Sequence, residues 1–127
     1  YPYYAGDAKV SWALKRELAE AGARVITGEG YDEVLELAGV PVSYKEIGEA
    51  AKAVTGKDIE IKLVSKDEFG AMMEGSGIDQ VGLMLGGAYQ DYALVGNNGE
   101  AESTADTFEK VLGHPLTPLA EAIKELI

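Results

Sequence analysis

The chain carries few residues able to do chemistry, and their spacing narrows the choice further. His114, in Gly113-His114-Pro115, is the one histidine, so no His-based metal cluster forms within a single chain. With no acid or nucleophile beside it in sequence, it reads as a loop residue filling a turn. Cysteine is absent. That removes disulfides, thiolate metal sites and cysteine nucleophiles, and it fits a reducing cytoplasm. Glu17, Glu20, Asp32, Glu33, Asp67, Glu68, Asp79 and Asp91 supply carboxylates in quantity. No spacing pairs two of them for acid–base work, and no calcium-loop pattern occurs. The serines include no G-x-S-x-G elbow. Gly75-Ser76-Gly77 meets its third glycine only at Gly82 and follows no strand, so it falls short of a dinucleotide fingerprint. Gly56-Lys57 lacks the flanking residues of a phosphate loop. The expectation is that this chain by itself holds neither metal nor nucleotide.

The aromatic residues are more suggestive. Tyr1, Tyr3, Tyr4 and Trp12 cluster at the front, and such rings offer flat apolar faces with a polar tip, suited to stacking on a planar ligand. Ordinary packing at a strand edge is the competing explanation.

Helix-start chemistry supplies the frame that must position these groups. Ser43-Tyr44-Lys45-Glu46 and Ser65-Lys66-Asp67-Glu68 are capping-box patterns, and Ser103-Thr104-Ala105-Asp106 is a looser relative. Thr117-Pro118 reads as an N-cap followed by proline at the first helical position. Apolar periodicity agrees: Tyr44, Ile47, Ala51 and Val54 before Gly56; Leu119, Ala122, Ile123 and Leu126; and a helix over 15–27 closed by Gly28. Val34–Leu37 and Ile59–Val64 alternate or are β-rich, and read as strands. Joined by the helix starting at Ser43, they are expected to lie parallel in one sheet. The glycine-rich stretch 70–99 favours one or two helices weakened by glycine, ended by a turn at Asn97-Asn98-Gly99.

These elements alternate as an α/β domain with two short parallel strands and about five helices. The 127 residues suit one continuous domain over 1–127, able to bury roughly two thirds of its unfolded surface. Hydrophobic residues at 46% and charged residues at 26% exclude a disordered chain. Eleven Lys and Arg against 22 Asp and Glu leave a net charge of −11, which repels nucleic acid and anionic lipid. No apolar run reaches the ~20 residues of a membrane span, and no signal peptide is expected. A cytoplasmic protein is expected, with neither nucleic acid nor membrane as partner.

A family resemblance adds what the residues alone withhold. Ala5-Gly6-Asp7-Ala8-Lys9, then Ser11 to Ala23 and Arg24–Thr27, resembles a stretch of NmrA-like atypical short-chain dehydrogenases/reductases, in which a Gly-Asp-Gly turn precedes a helix reading Arg-x-Asp-hydrophobic-Ala. Type-2 NAD(P)H:quinone oxidoreductases are the nearest group. Val34–Gly39, Val42–Glu46, Ile59–Phe69 and Val111–Ala120 continue the series along essentially the whole chain. Val111–Ala120 is the most specific piece. Lys15 stands in the place of the motif's arginine and Glu17 in that of its aspartate; each swap keeps charge and changes geometry.

The resemblance implies the C-terminal, substrate-side portion of a Rossmann-type protein about twice as long, with the nucleotide-binding half absent. It implies NADPH or NADH as cofactor of the full-length family, none held by this chain, and hydride transfer to a quinone or similar planar acceptor. This chain alone is then inactive. Substrate-binding candidates are Tyr3, Tyr4 and Trp12 as pocket walls and Lys15 as a polar contact. Two other implications stay open: a non-enzymatic NAD(P)-sensing regulator, and a free-standing interaction domain. A missing half would leave apolar surface bare, so self-association into a two-fold dimer is expected.

Overall fold

The computed structural model describes residues 1–96 and 99–127. Asn97 and Asn98, part of the expected turn, lie outside them.

Helices begin where side chains satisfy free backbone N–H groups. Ser43 Oγ accepts from the Glu46 N–H at 3.2 Å while Glu46 Oε2 accepts from the Ser43 N–H at 2.7 Å. Ser65 and Glu68 repeat the exchange at 3.2 and 2.9 Å. These capping boxes open α2 (Tyr44–Thr55) and α3 (Lys66–Glu74). α1 (Lys15–Thr27) ends at Gly28, as its sequence implies. The glycine-rich stretch resolves into the end of α3 and a long helix, α4 (Gln80–Val95), started by Asp79, whose carboxylate accepts from the Gly82 N–H at 2.7 Å.

Two expected caps act elsewhere. The Ser103 hydroxyl donates to the Glu100 carbonyl at 2.8 Å and closes a 3-10 turn over Glu100–Glu102, so α5 (Asp106–Leu112) starts at Asp106. The Thr117 hydroxyl points away from α6 (Leu119–Leu126) and donates to Glu17 Oε1 at 2.6 Å.

The expected pairing of Val34–Leu37 with Ile59–Val64 does not occur. Residues 34–37 form no strand. Their alternation reflects Leu35 and Leu37 tucked against a cluster around Phe108. Of Ile59–Val64, only β4 (Lys62–Leu63) is strand, and it runs parallel to β1 (Pro2–Tyr3), with Pro2 opposite Lys62. The short parallel pair therefore exists, with the N-terminus as partner. A second, antiparallel ribbon pairs β2 (Lys9–Trp12) with β3 (Val40–Ser43), Trp12 standing opposite Val40. Gly39 enters this ribbon where any Cβ would overlap the Trp12 carbonyl, so only glycine fits.

Two buried clusters hold the elements. One gathers Tyr3, Ala5, Val10, Tyr44 and Ala93, fixing β1, the ribbon, α2 and α4. The other gathers Ala21, Phe108, Val111, Leu112 and Leu116 between α1 and α5. Glu17 sits among the buried residues at 1% exposure. Its Oε1 accepts from both the N–H (2.8 Å) and the hydroxyl (2.6 Å) of Thr117, while Oε2 has no hydrogen-bond partner among the described residues. A buried carboxylate that loses a donor is left uncompensated. Thr117→Val should therefore destabilise the protein by about 1–3 kcal/mol, while Thr117→Ser should restore most of the loss. Urea unfolding monitored by circular dichroism measures both; equal stability of Val and Ser variants would refute the assignment.

Candidate functional site

Trp12 closes β2 and forms a wall common to two cavities. The residue is 42% exposed, and its ring meets Tyr44 edge to face, with centroids 6.0 Å apart and planes at 81°.

On one side lies an apolar cleft of about 310 Å³ between the ribbon, α2 and α6, walled by Leu14, Val42, Ile47, Leu116 and Ile123. Thr117 contributes its one side-chain hydroxyl, already engaged with Glu17. Arg16 Nη2 donates to Thr117 Oγ1 at 2.9 Å. The same guanidinium grips Glu125 of α6 through Nε at 2.8 Å and Nη2 at 2.6 Å, holding that carboxyl below the ordinary range. Thr117 at the cleft's edge thus meets both a guanidinium and the Glu17 carboxylate.

The other side is a recess of about 330 Å³ lined by Val10, Ser11, Trp12, Tyr44, Tyr89, Tyr92 and Glu100. Glu100 Oε2 accepts from the Ser11 N–H at 2.8 Å. Burial, then the Glu100 charge, then Tyr89 push the Tyr44 hydroxyl up to about 12.

The other sequence-derived candidates occupy different ground. Tyr3 and Tyr4 are buried and line neither cavity. Tyr3 packs in the core beside Ala5 and Tyr44. Tyr4 stacks edge-on against Phe69, 5.2 Å between centroids, and its hydroxyl donates to the Gly87 carbonyl at 2.6 Å. Lys15 is exposed at the start of α1, directly after the cleft residue Leu14. Trp12 is the candidate that faces open space in both cavities.

Residues not singled out from sequence matter as much. Gln90, 2% exposed, accepts from the Tyr4 and Ala5 N–H groups at 2.7 and 3.2 Å and so bolts α4 to the segment that follows β1. Tyr89 and Tyr92 follow from α4, an element the glycines obscured. No group of three or more His, Cys, Asp or Glu suited to a metal ion occurs among the described residues. No described helix is long and apolar enough to cross a membrane.

Comparison with known proteins then supplies a context. The chain is 30% identical over 125 residues to quinone oxidoreductase 2 of Escherichia coli, covering 96% of this chain and 42% of that protein. Triphenylmethane reductase of Citrobacter sp., solved in complex with NADP(H), superposes with a TM-score of 0.83 at 29% identity, over 100% of this chain and 44% of its own. The solved NADPH-dependent quinone oxidoreductase of E. coli superposes at 0.71 with 25% identity, over 99% and 46%. The chain matches the C-terminal part of such reductases. It spans less than half the length of each. A nucleoside-diphosphate-sugar epimerase of Staphylococcus aureus shares the fold at 19% identity, with a TM-score of 0.69. No family model matches.

His114 latches the 113–116 loop to α1. Its Nδ1 lies 2.8 Å from the Pro115 carbonyl and its Nε2 3.2 Å from both Glu20 carboxylate oxygens. Both neighbours accept, so the doubly protonated ring fits best; the Pro115 carbonyl and then Glu20 raise its pKa above the ordinary 6.5. A raised folded pKa means the latch stabilises fully below pH 6.5, and that this contribution is lost as pH rises through the folded value. Proton NMR titration should place the His114 midpoint above 6.5, and Glu20→Gln should bring it down. A midpoint at or below 6.5 would exclude the latch.

Proposed function

We propose that this chain forms the substrate-side portion of an NAD(P)H-dependent oxidoreductase that reduces a quinone or similar planar acceptor by hydride transfer. The observation that carries this reading is the apolar cleft walled by Trp12, in a chain that superposes over its whole length on reductases. Hydride and a proton convert the quinone to hydroquinone while NAD(P)H becomes NAD(P)⁺. The residues of this chain bind and orient the acceptor; the nicotinamide supplies the hydride. The nucleotide is held outside this chain in this reading. Gly75 closes α3 and Asp79 occupies the Gly82 N–H, so neither glycine opens a strand–turn–helix seat for pyrophosphate.

Electrostatics favours the cleft over the recess. An acceptor gains negative charge as hydride arrives, which a neighbouring cation stabilises and a carboxylate opposes. No carboxylate lines the cleft, whereas Glu100 lines the recess. In this assignment Trp12 stacks on the acceptor and Lys15 adds positive charge beyond Leu14; Tyr3 and Tyr4 line neither cavity.

Trp12 is the sole tryptophan and lines both cavities, so its fluorescence reports a ligand in either, and a change at Ala122, which lines the cleft alone, tells them apart. Menadione should quench it saturably, with a Kd of about 100 μM or tighter, roughly −5.5 kcal/mol. Ala122→Phe, which fills the cleft, should weaken that binding about tenfold. Calorimetry with NADPH should show no binding tighter than about 100 μM. Quenching that fails to saturate, or survives Ala122→Phe, would sink the cleft; tight NADPH binding would sink the placement of the nucleotide.

The first half of α4 supports self-association. Val81, Met84 and Leu85 stand exposed on one helix face, with Met72 and Ile78 also exposed nearby in sequence. Unpartnered apolar surface of this kind favours a second copy, and screening over ~8 Å leaves the net negative charge too weak at long range to prevent contact. Sedimentation equilibrium at tens of micromolar should give a mass above the monomer, reduced by Met84→Glu. A clean monomer at low and high salt would overturn this.

A further inference from the structure

The recess that shares Trp12 with the cleft has a chemistry that acceptor reduction does not use. Trp12, Tyr44, Tyr89 and Tyr92 bring four aromatic side chains to one cavity of about 330 Å³, and Glu100 places a carboxylate among them. Trp12 and Tyr44 stand nearly perpendicular, 6.0 Å between centroids, so their planes form a corner. Aromatic faces carry negative electrostatic potential and attract a cation held within about 6 Å of the ring centre. Tyr44 is buried and fixed in the core cluster, so that part of the corner is preorganised. Tyr89 and Tyr92, at 61% and 56% exposure, leave the opening accessible.

The electrostatics agree with the shape. Glu100, held by the Ser11 N–H, lies close enough to Tyr44 to oppose ionisation of its hydroxyl. No Lys or Arg lines the recess, and the chain carries a net charge of −11, so the field draws cations toward it. A weakly hydrated cation gains most here, because burying an ordinary ammonium sacrifices strong hydration whereas methyl groups on nitrogen already shed it.

We propose that this recess is a binding site for a trimethylammonium group, with the aromatic rings enclosing the methyl groups and Glu100 balancing the charge. The site shares Trp12 with the acceptor cleft but none of the cleft's other walls, and it stands whether or not that reading holds. Its chemistry is shared by free choline-type cations and by phosphatidylcholine headgroups.

The test uses the whole chain, with Trp12 fluorescence as readout. Choline should shift the emission saturably in the millimolar range, and 3,3-dimethyl-1-butanol, its uncharged isostere, should bind at least about tenfold more weakly. Glu100→Gln keeps an acceptor for the Ser11 N–H while removing the charge, and should cost about tenfold in choline affinity. Tyr92→Leu, at an exposed position, should cost about fivefold. Circular dichroism establishes that each variant is folded. Raising NaCl should weaken choline binding, as charge attraction requires. Phosphatidylcholine vesicles separate the two sources: co-sedimentation competed by choline assigns the headgroup, and choline binding without co-sedimentation assigns the free cation. Equal response to the neutral isostere, unchanged affinity in folded Glu100→Gln, or no saturable choline response would overturn the site.

Discussion

A carboxylate sealed from water sets the terms for much of this fold. Glu17 is buried on α1, and an interior charge must be met by donors if the surrounding structure is to close. Thr117 meets it with two, its N–H and its hydroxyl. That demand fixes the path of the chain just before α6. Leu116 is thereby set into the cluster with Phe108 and Leu112, its own N–H secured by Glu109 at 2.9 Å. α6 then leaves at an angle that lets Arg16 clamp Glu125. The cleft beside Trp12 is the space these constraints leave between α6 and the ribbon.

The ribbon is the second fixed point. Because Gly39 lies against the Trp12 carbonyl, β3 cannot slide along β2 without a steric clash. Trp12 is held at the edge, where it lines both cavities. The two differ in lining: one is apolar apart from Thr117, and a carboxylate stands in the other.

How much of this could be read beforehand depended on whether the signal was local. Ser43–Glu46 and Ser65–Glu68 are complete within four residues, and both capping boxes form as written. α1 likewise ends at Gly28. Thr117 carried the signature of a cap but is claimed by Glu17, 100 positions away; a distant buried charge outweighed a local preference. The strand-like alternation at 34–37 came from two leucines facing a helix cluster, a pattern indistinguishable from a half-buried strand by periodicity alone. The true partner of β4 is a two-residue segment at the N-terminus, too short to announce itself. Trp12 was legible as a ring with an exposed face, but Tyr89 and Tyr92 lay hidden in a helix whose glycines argued against it. Nothing in the sequence placed Glu100 beside Tyr44, since that meeting depends on the ribbon.

The contacts that close the structure join residues far apart along the chain: Tyr4 to Gln90, Glu17 to Thr117, Arg16 to Glu125. Long-range closure of this kind has a kinetic meaning, because the entropy of bringing distant segments together must be met before their contacts can stabilise anything. During synthesis, α1 emerges long before Thr117 exists. Until Thr117 has emerged, Glu17 lacks both of its hydrogen-bond donors, and the α1 face that will cover Phe108 remains bare. A ribosome stalled short of Thr117 therefore holds an α1 face unsealed and exposed to proteases and chaperones.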